Sequence, residues 1–161
     1  MTSRSRPRVY LETTIISYLA ALPSRDLVVA ARQRITKEWW AQRRGKFSLF
    51  VSTLVVAEAE KGDVNAAQRR LRVMADIAVL EVTEQCGWLA ERLVAKGAVP
   101  VIAAADALHV SIATVSEMDF LMTWNCAHIN NAQQKERIRA VCEAEGRKCP
   151  VICTPEELPG A

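Results

Sequence analysis

The stretch "RVYLETTIISYLA", residues 8–20, decides the fold. A short apolar run, Val9–Leu11, climbs to a single carboxylate, Glu12, and Thr13, Thr14 and a second apolar run follow at once. The first run has the length and residue types of a buried strand. The second, "IISYLAAL", has the spacing of a helix that stops near Pro23. A strand that passes directly into a helix is the opening unit of a parallel sheet covered by helices, and one acid stands at the seam.

The same alternation continues to the end of the chain. "FSLFVS", "IAVLEV", "DFLMTW" and "VIC" read as further strands. Between them lie a helix over residues 25–44, the helix "TLVVAEAEKG", a helix capped by Asp63 and one running from a capping Thr83 to Gly97. "AADALHVSIATVSE" and "NAQQKERIRAVCEAEG" are the next helices, and "TPEEL" carries a capping pattern at Thr154 and Glu157. The expected burial faces are Val28, Ala31, Ile35 and Trp39 in the long helix, Ala67, Leu71 and Met74 after Asp63, and Ala104, Leu108 and Ile112 in the "AADALHV" helix. The expectation is an α/β fold with a central, mostly parallel sheet of about five strands between helical layers. The length of 161 residues suits one domain and not two, with residues 1–7 as a flexible N-terminus.

Composition excludes several classes. Half the residues are hydrophobic and 24% are charged, which rules out a disordered chain. No apolar run approaches the ~20 residues of a membrane span, so no membrane partner is expected, and a cytoplasmic location is. The five cysteines are odd in number and form no C-x-x-C pair, which points to reduced thiols. Cys126, His128, Cys142 and Cys149 fit no common zinc spacing. The net charge of +3 is too small to identify a nucleic-acid partner by itself, but residues 24–46 hold seven Lys or Arg against two acids.

In an open parallel sheet, ligands bind beyond the C-terminal strand ends. Glu12 lies there, Glu58 follows the second strand, Asp106 opens an otherwise apolar helix, and Thr123 and Asn125 end the fourth strand. Carboxylates gathered without Lys or Arg repel one another until a cation neutralises them. Oxygen ligands of this kind suit Mg²⁺ or Mn²⁺, which activates water for attack on a phosphoryl group. Each residue also has a plain reading: Glu12 and Asp106 as acids at helix starts, Glu58 as a solvated residue, Asn125 as a turn cap, His109 as a hydrogen-bond partner. No P-loop follows the first strand, and the two acids that an aspartyl-phosphate phosphatase would place there are missing.

The segments "VYLETTIISYL", "VSTLVVAE", "AADALHVSIA" and "DFLMTWNCAHINNA" resemble the PIN domain, the fold of VapC-type toxins of bacterial toxin–antitoxin pairs. The resemblance runs from about residue 8 to about residue 153 and implies a three-layer α/β/α fold. It also implies a metal-dependent endoribonuclease, often a homodimer, inhibited by an antitoxin on a separate chain. Glu12, Glu58 and Asp106 match the family's first three acids and would hold Mg²⁺ or Mn²⁺, and Thr123 matches the polar residue ending strand four. Two positions depart from the pattern: Glu12 stands where Asp is usual, and Asn125 at or near the place of a fourth Asp. The alternative is therefore a catalytically weak PIN-like module that binds RNA or an antitoxin-like protein. For RNA, the candidate contacts are Thr13, Arg34, Lys37, Trp40 and Arg44, through phosphate charge and base stacking.

Overall fold

The computed structural model describes residues 5–160. The expected N-terminal tail falls largely outside the described residues. Five parallel strands form one sheet in the order β3-β2-β1-β4-β5. They are β1 (Arg8–Leu11), β2 (Ser48–Ser52), β3 (Ala78–Leu80), β4 (Phe120–Met122) and β5 (Val151–Cys153). The register places Tyr10 beside Phe50 of β2 and Leu121 of β4. "IAVLEV" and "DFLMTW" each yield only three strand residues: β3 is an edge strand paired to β2 alone, and β4 pairs with β1 and the three-residue β5.

Helices α1 (Thr13–Ala20) and α2 (Leu27–Gln42) connect β1 to β2, and α3 (Thr53–Ala59) and α4 (Val64–Met74) connect β2 to β3. Helices α5 (Glu84–Ala95) and α6 (Ala104–Val115) connect β3 to β4, and α7 (Ala132–Ala144) connects β4 to β5. Helix α1 packs on α2, α3 and α4, whereas α5 packs on α6 and α7. The sheet grows in one direction from β1 for the first half of the chain and in the other for the second. Right-handed crossovers therefore put the two helical sets on opposite faces, giving the three-layer α/β/α arrangement. The strand order reverses between β1 and β4, and a crevice opens there at the C-terminal strand ends.

Val9, Tyr10, Leu11, Leu121 and Met122 are fully buried in the two central strands, as strands covered on both faces must be. Asp63 and Thr83 cap α4 and α5 by accepting from Ala66 N at 2.9 Å and Cys86 N at 3.4 Å. Gly97 takes φ +73° just beyond α5, a conformation that costs glycine little. Three burial faces differ from expectation. In α2 the buried side chains are Gln33, Thr36 and Trp39, while Val28 is 61% exposed and Ala31 lies outside the core. The face is turned by polar anchors: Gln33 bonds the α1–α2 connection at Leu22 O and Ser24 N, and Thr36 accepts from the Trp124 indole. In α6, Ala104 is exposed and the buried face runs through Ala107, His109, Val110, Ile112 and Ala113. In α4, Ala67 and Met74 are buried but Leu71 is largely exposed.

Candidate active site

Glu12 is the N-cap of α1, immediately after β1, and is only 4% exposed. Its Oε2 receives Thr14 N at 2.9 Å, the Thr14 hydroxyl at 2.5 Å and the Thr123 hydroxyl at 2.9 Å. The last bond spans the crevice between β1 and β4, and Glu12 N also donates to Met122 O at 3.1 Å. The acid at the seam is thus a cap and a cross-strand tie together. Among the described residues no hydrogen bond reaches its Oε1, so one oxygen is spent on structure and the other is left for chemistry.

Glu58 lies in the last turn of α3, and its Oε1 accepts from the Thr13 hydroxyl at 2.8 Å. The same oxygen meets His109 Nε2 at 2.5 Å. Thr13 therefore links the Glu12 segment directly to Glu58. Burial pushes the Glu58 carboxyl up, but hydrogen bonds from His109 and Thr13 more than offset this and hold it below the ordinary carboxylate range. Asp106 stands half-buried in the first turn of α6, one turn before His109 and on the same side of the helix.

Behind the acids lies a hydrogen-bonded circuit that sequence reasoning did not find. Val55 N donates to Ser52 Oγ at 3.2 Å, Ser52 Oγ meets Tyr10 Oη at 2.8 Å, and Tyr10 Oη meets His109 Nδ1 at 2.7 Å. His109 then reaches Glu58. With the His109 proton on Nε2, every hydrogen in this chain is used once: Val55 to Ser52, Ser52 to Tyr10, Tyr10 to His109, His109 to Glu58. Tyr10, Ser52 and His109 are almost wholly buried, and burial drives the Tyr10 phenol far above its ordinary value. The available signal was the pair of polar residues, Tyr10 and Ser52, in otherwise apolar strands.

Thr123 is fully buried and both donates to Glu12 and accepts from Asn125 N at 2.9 Å. Asn125 Oδ1 accepts from His128 N at 3.1 Å and is turned into its own loop as a cap. Arg34 pairs with Glu38 at 2.9 Å, and the Arg44 guanidinium lies 3.9 Å from the centre of the half-buried Trp40 ring. Lys37 is exposed on α2. Arg32, not singled out by sequence, lies over Trp124 at 5.3 Å. The Trp124 backbone N–H in turn bonds the Thr14 hydroxyl at 2.9 Å.

By its chemistry the donor set fits a hard divalent cation. It is all carboxylate oxygen, each of Glu12 and Glu58 keeps one oxygen outside its hydrogen bonds, and no Lys or Arg side chain bonds any of the three acids among the described residues. As the side chains stand, no group of three His, Cys, Asp or Glu is close enough to hold one ion among the described residues, so binding would draw the acids together. The same finding covers Cys126, His128, Cys142 and Cys149, and all five cysteines are free thiols.

An open parallel sheet with acids across its switch point defines a class of α/β proteins whose chemistry is carried at the C-terminal strand ends. Within that class, this chain has the PIN-domain fold of VapC toxins. The structure of VapC20 from Mycobacterium tuberculosis, a toxin that cleaves the sarcin–ricin loop, matches with TM-score 0.59 at 14% identity, over 74% of this chain and 92% of that one. VapBC-1 from nontypeable Haemophilus influenzae matches with TM-score 0.58 at 18% identity, over 92% and 98%. VapBC2 from Rickettsia felis, bound to a DNA fragment from its promoter, matches with TM-score 0.55 at 19% identity, over 91% and 98%. No protein-family model matches the chain, and no curated protein matches it.

Proposed function

We propose that this chain is a divalent-metal-dependent endoribonuclease, the toxin component of a toxin–antitoxin pair. The observation that carries the reading is the Glu12–Thr13–Glu58 connection at the crevice, with Asp106 one turn from the histidine that holds Glu58. Three acids come from three segments, Glu12 and Glu58 bonded by hydroxyls and an imidazole, and among the described residues no Lys or Arg side chain bonds any of them, which favours an external cation. Glu12, Glu58 and Asp106 would hold Mg²⁺ or Mn²⁺, which supplies an activated water and charge neutralisation at a phosphodiester. The chain's own residues do the rest. Thr14 and Thr123 fix which Glu12 oxygen faces the crevice, Thr13 fixes Glu58, and Arg32 beside Trp124 offers a charge for a substrate phosphate.

The likeness of fold to VapC and VapBC proteins supports an antitoxin partner on a separate chain. Exposed apolar side chains at Trp88, Val101 and Ile102 suit a second copy and a homodimer. No helix among the described residues is long and apolar enough to cross a membrane.

A second reading, a PIN-like module that binds RNA or an antitoxin-like protein without cutting, is favoured by two observations. The Asn125 oxygen is spent on its own loop, and the acids are not gathered into a three-ligand group among the described residues. The experiment that separates them is cleavage of a mixed RNA pool by the purified chain with Mn²⁺ or Mg²⁺, with chelator, and with Asp106→Asn. Metal-dependent cutting that the variant loses is the expected result. Folded protein that cuts at no metal concentration establishes the second reading.

A further inference from the structure

The circuit Ser52–Tyr10–His109–Glu58 begins and ends on one short helix, since Ser52 caps α3 and Glu58 lies in its last turn. In between it passes through β1 and α6. Three of its four members lie near an acid or are one: Tyr10 lies two residues before Glu12, His109 three residues after Asp106, and Glu58 closes the chain. The Tyr10 and His109 rings lie 5.9 Å apart at 54°, tilted so that the hydroxyl meets Nδ1 rather than the ring face. Nε2 is thereby aimed at Glu58 Oε1, and Oε2 is left as the oxygen free for a ligand.

We propose that His109, oriented by the Tyr10 hydroxyl, is a positioning residue that fixes the Glu58 carboxylate for the cation. This inference rests on the metal-dependent reading above. It assigns the job to geometry: an imidazole carrying a hydrogen bond on each nitrogen cannot rotate, so its carboxylate partner cannot either. A Glu58 carboxylate fixed before the cation arrives costs less ordering when it binds.

The test is Mn²⁺ affinity by electron paramagnetic resonance on the full chain, without RNA, for the parent and four variants. His109→Leu removes both hydrogen bonds, and Tyr10→Phe removes one hydroxyl while keeping the ring. His109→Gln returns a donor toward Glu58. Thr114→Val is the control, because Thr114 is equally buried on α6 but bonds only Val110 O and the Cys142 thiol. The expected result is affinity about 10- to 100-fold weaker for His109→Leu, a smaller loss for Tyr10→Phe, partial recovery in His109→Gln and parent affinity for Thr114→Val. If His109→Leu does not fold, Tyr10→Phe against Thr114→Val decides the matter. Parent-like Mn²⁺ affinity in both circuit variants, or an equal loss in Thr114→Val, overturns the positioning role while leaving the nuclease reading intact. A parent chain that binds no Mn²⁺ overturns the metal-dependent reading and this inference with it.

Discussion

The two ends of the sheet treat their charged groups in opposite ways. At the N-terminal ends, Arg8 N donates to Asp119 Oδ2 at 2.8 Å, and the Arg8 guanidinium donates to Ser116 O at 3.0 Å and covers the Phe50 ring at 4.9 Å. There a carboxylate and a guanidinium each meet one backbone partner, and the Asp119 bond lies close to solvent. At the C-terminal ends, Glu12 and Glu58 meet threonine hydroxyls and a histidine, and each retains one carboxylate oxygen without a hydrogen bond among the described residues. The first arrangement is exposed, where water completes the bonding, whereas Glu12 is buried and relies on protein groups. A buried carboxylate at a switch point is costly unless a partner or a ligand offsets its charge.

If that contrast is right, changes at the two ends separate activity from stability. The largest effect is expected from Asp106→Asn or Glu12→Gln: RNA cleavage falls to background, a loss beyond the about 10- to 100-fold of an outer hydrogen-bond partner, with little change in the melting temperature for the half-buried Asp106. A cleavage assay beside a thermal melt checks both halves of the statement. Thr123→Val comes next. It keeps the shape of a fully buried residue but takes the donor from Glu12 and the acceptor from Asn125 N. Stability should fall by about 1–3 kcal/mol in urea titration, and cleavage should weaken together with it.

A smaller effect follows from the lowered Glu58 carboxyl. A group whose folded pKa lies below its unfolded value adds stability that is complete above the unfolded value and is lost as pH falls through the folded one. In metal-free protein the acid side of the stability curve should therefore be shallower in Glu58→Gln than in the parent, measured by urea titration below about pH 5. The smallest effect belongs to the other end of the sheet. Asp119→Ala should cost about 1 kcal/mol and leave cleavage unchanged. A loss of cleavage there, at parent stability, would erase the contrast between the two ends.

Much of this was legible in the residues. The strand-to-helix step at residues 8–20, the caps at Asp63, Thr83 and Thr154, and the turn at Gly97 are local signals, and local physics produces them again in the fold. The convergence of Glu12, Glu58 and Thr123 followed from parallel topology, because such a sheet sends every strand end to one rim. What was not legible depended on partners remote in sequence. Gln33 and Thr36 are buried because Leu22, Ser24 and Trp124 provide their hydrogen bonds, and no periodicity of apolar residues reports that. Arg34 pairs with Glu38 within α2, and Arg44, just beyond that helix, covers Trp40, contacts set by side-chain reach and not by apolar periodicity. Asn125 was legible only as a choice between cap and ligand, and its Oδ1 accepts from His128 N.

The three donors on Glu12 Oε2 bear on how such a site can change over generations. An aspartate at position 12 could still cap Thr14 N, but a side chain shorter by one methylene would draw back from the Thr123 hydroxyl across the crevice. Conversely, a glutamate without those two threonines would have a long, buried and unrestrained arm. Positions 12, 14 and 123 therefore form one mutational unit, in which the fitness of each residue is conditional on the other two. Glu12→Asp made alone is a step downhill, and the longer acid is retained by the company it keeps.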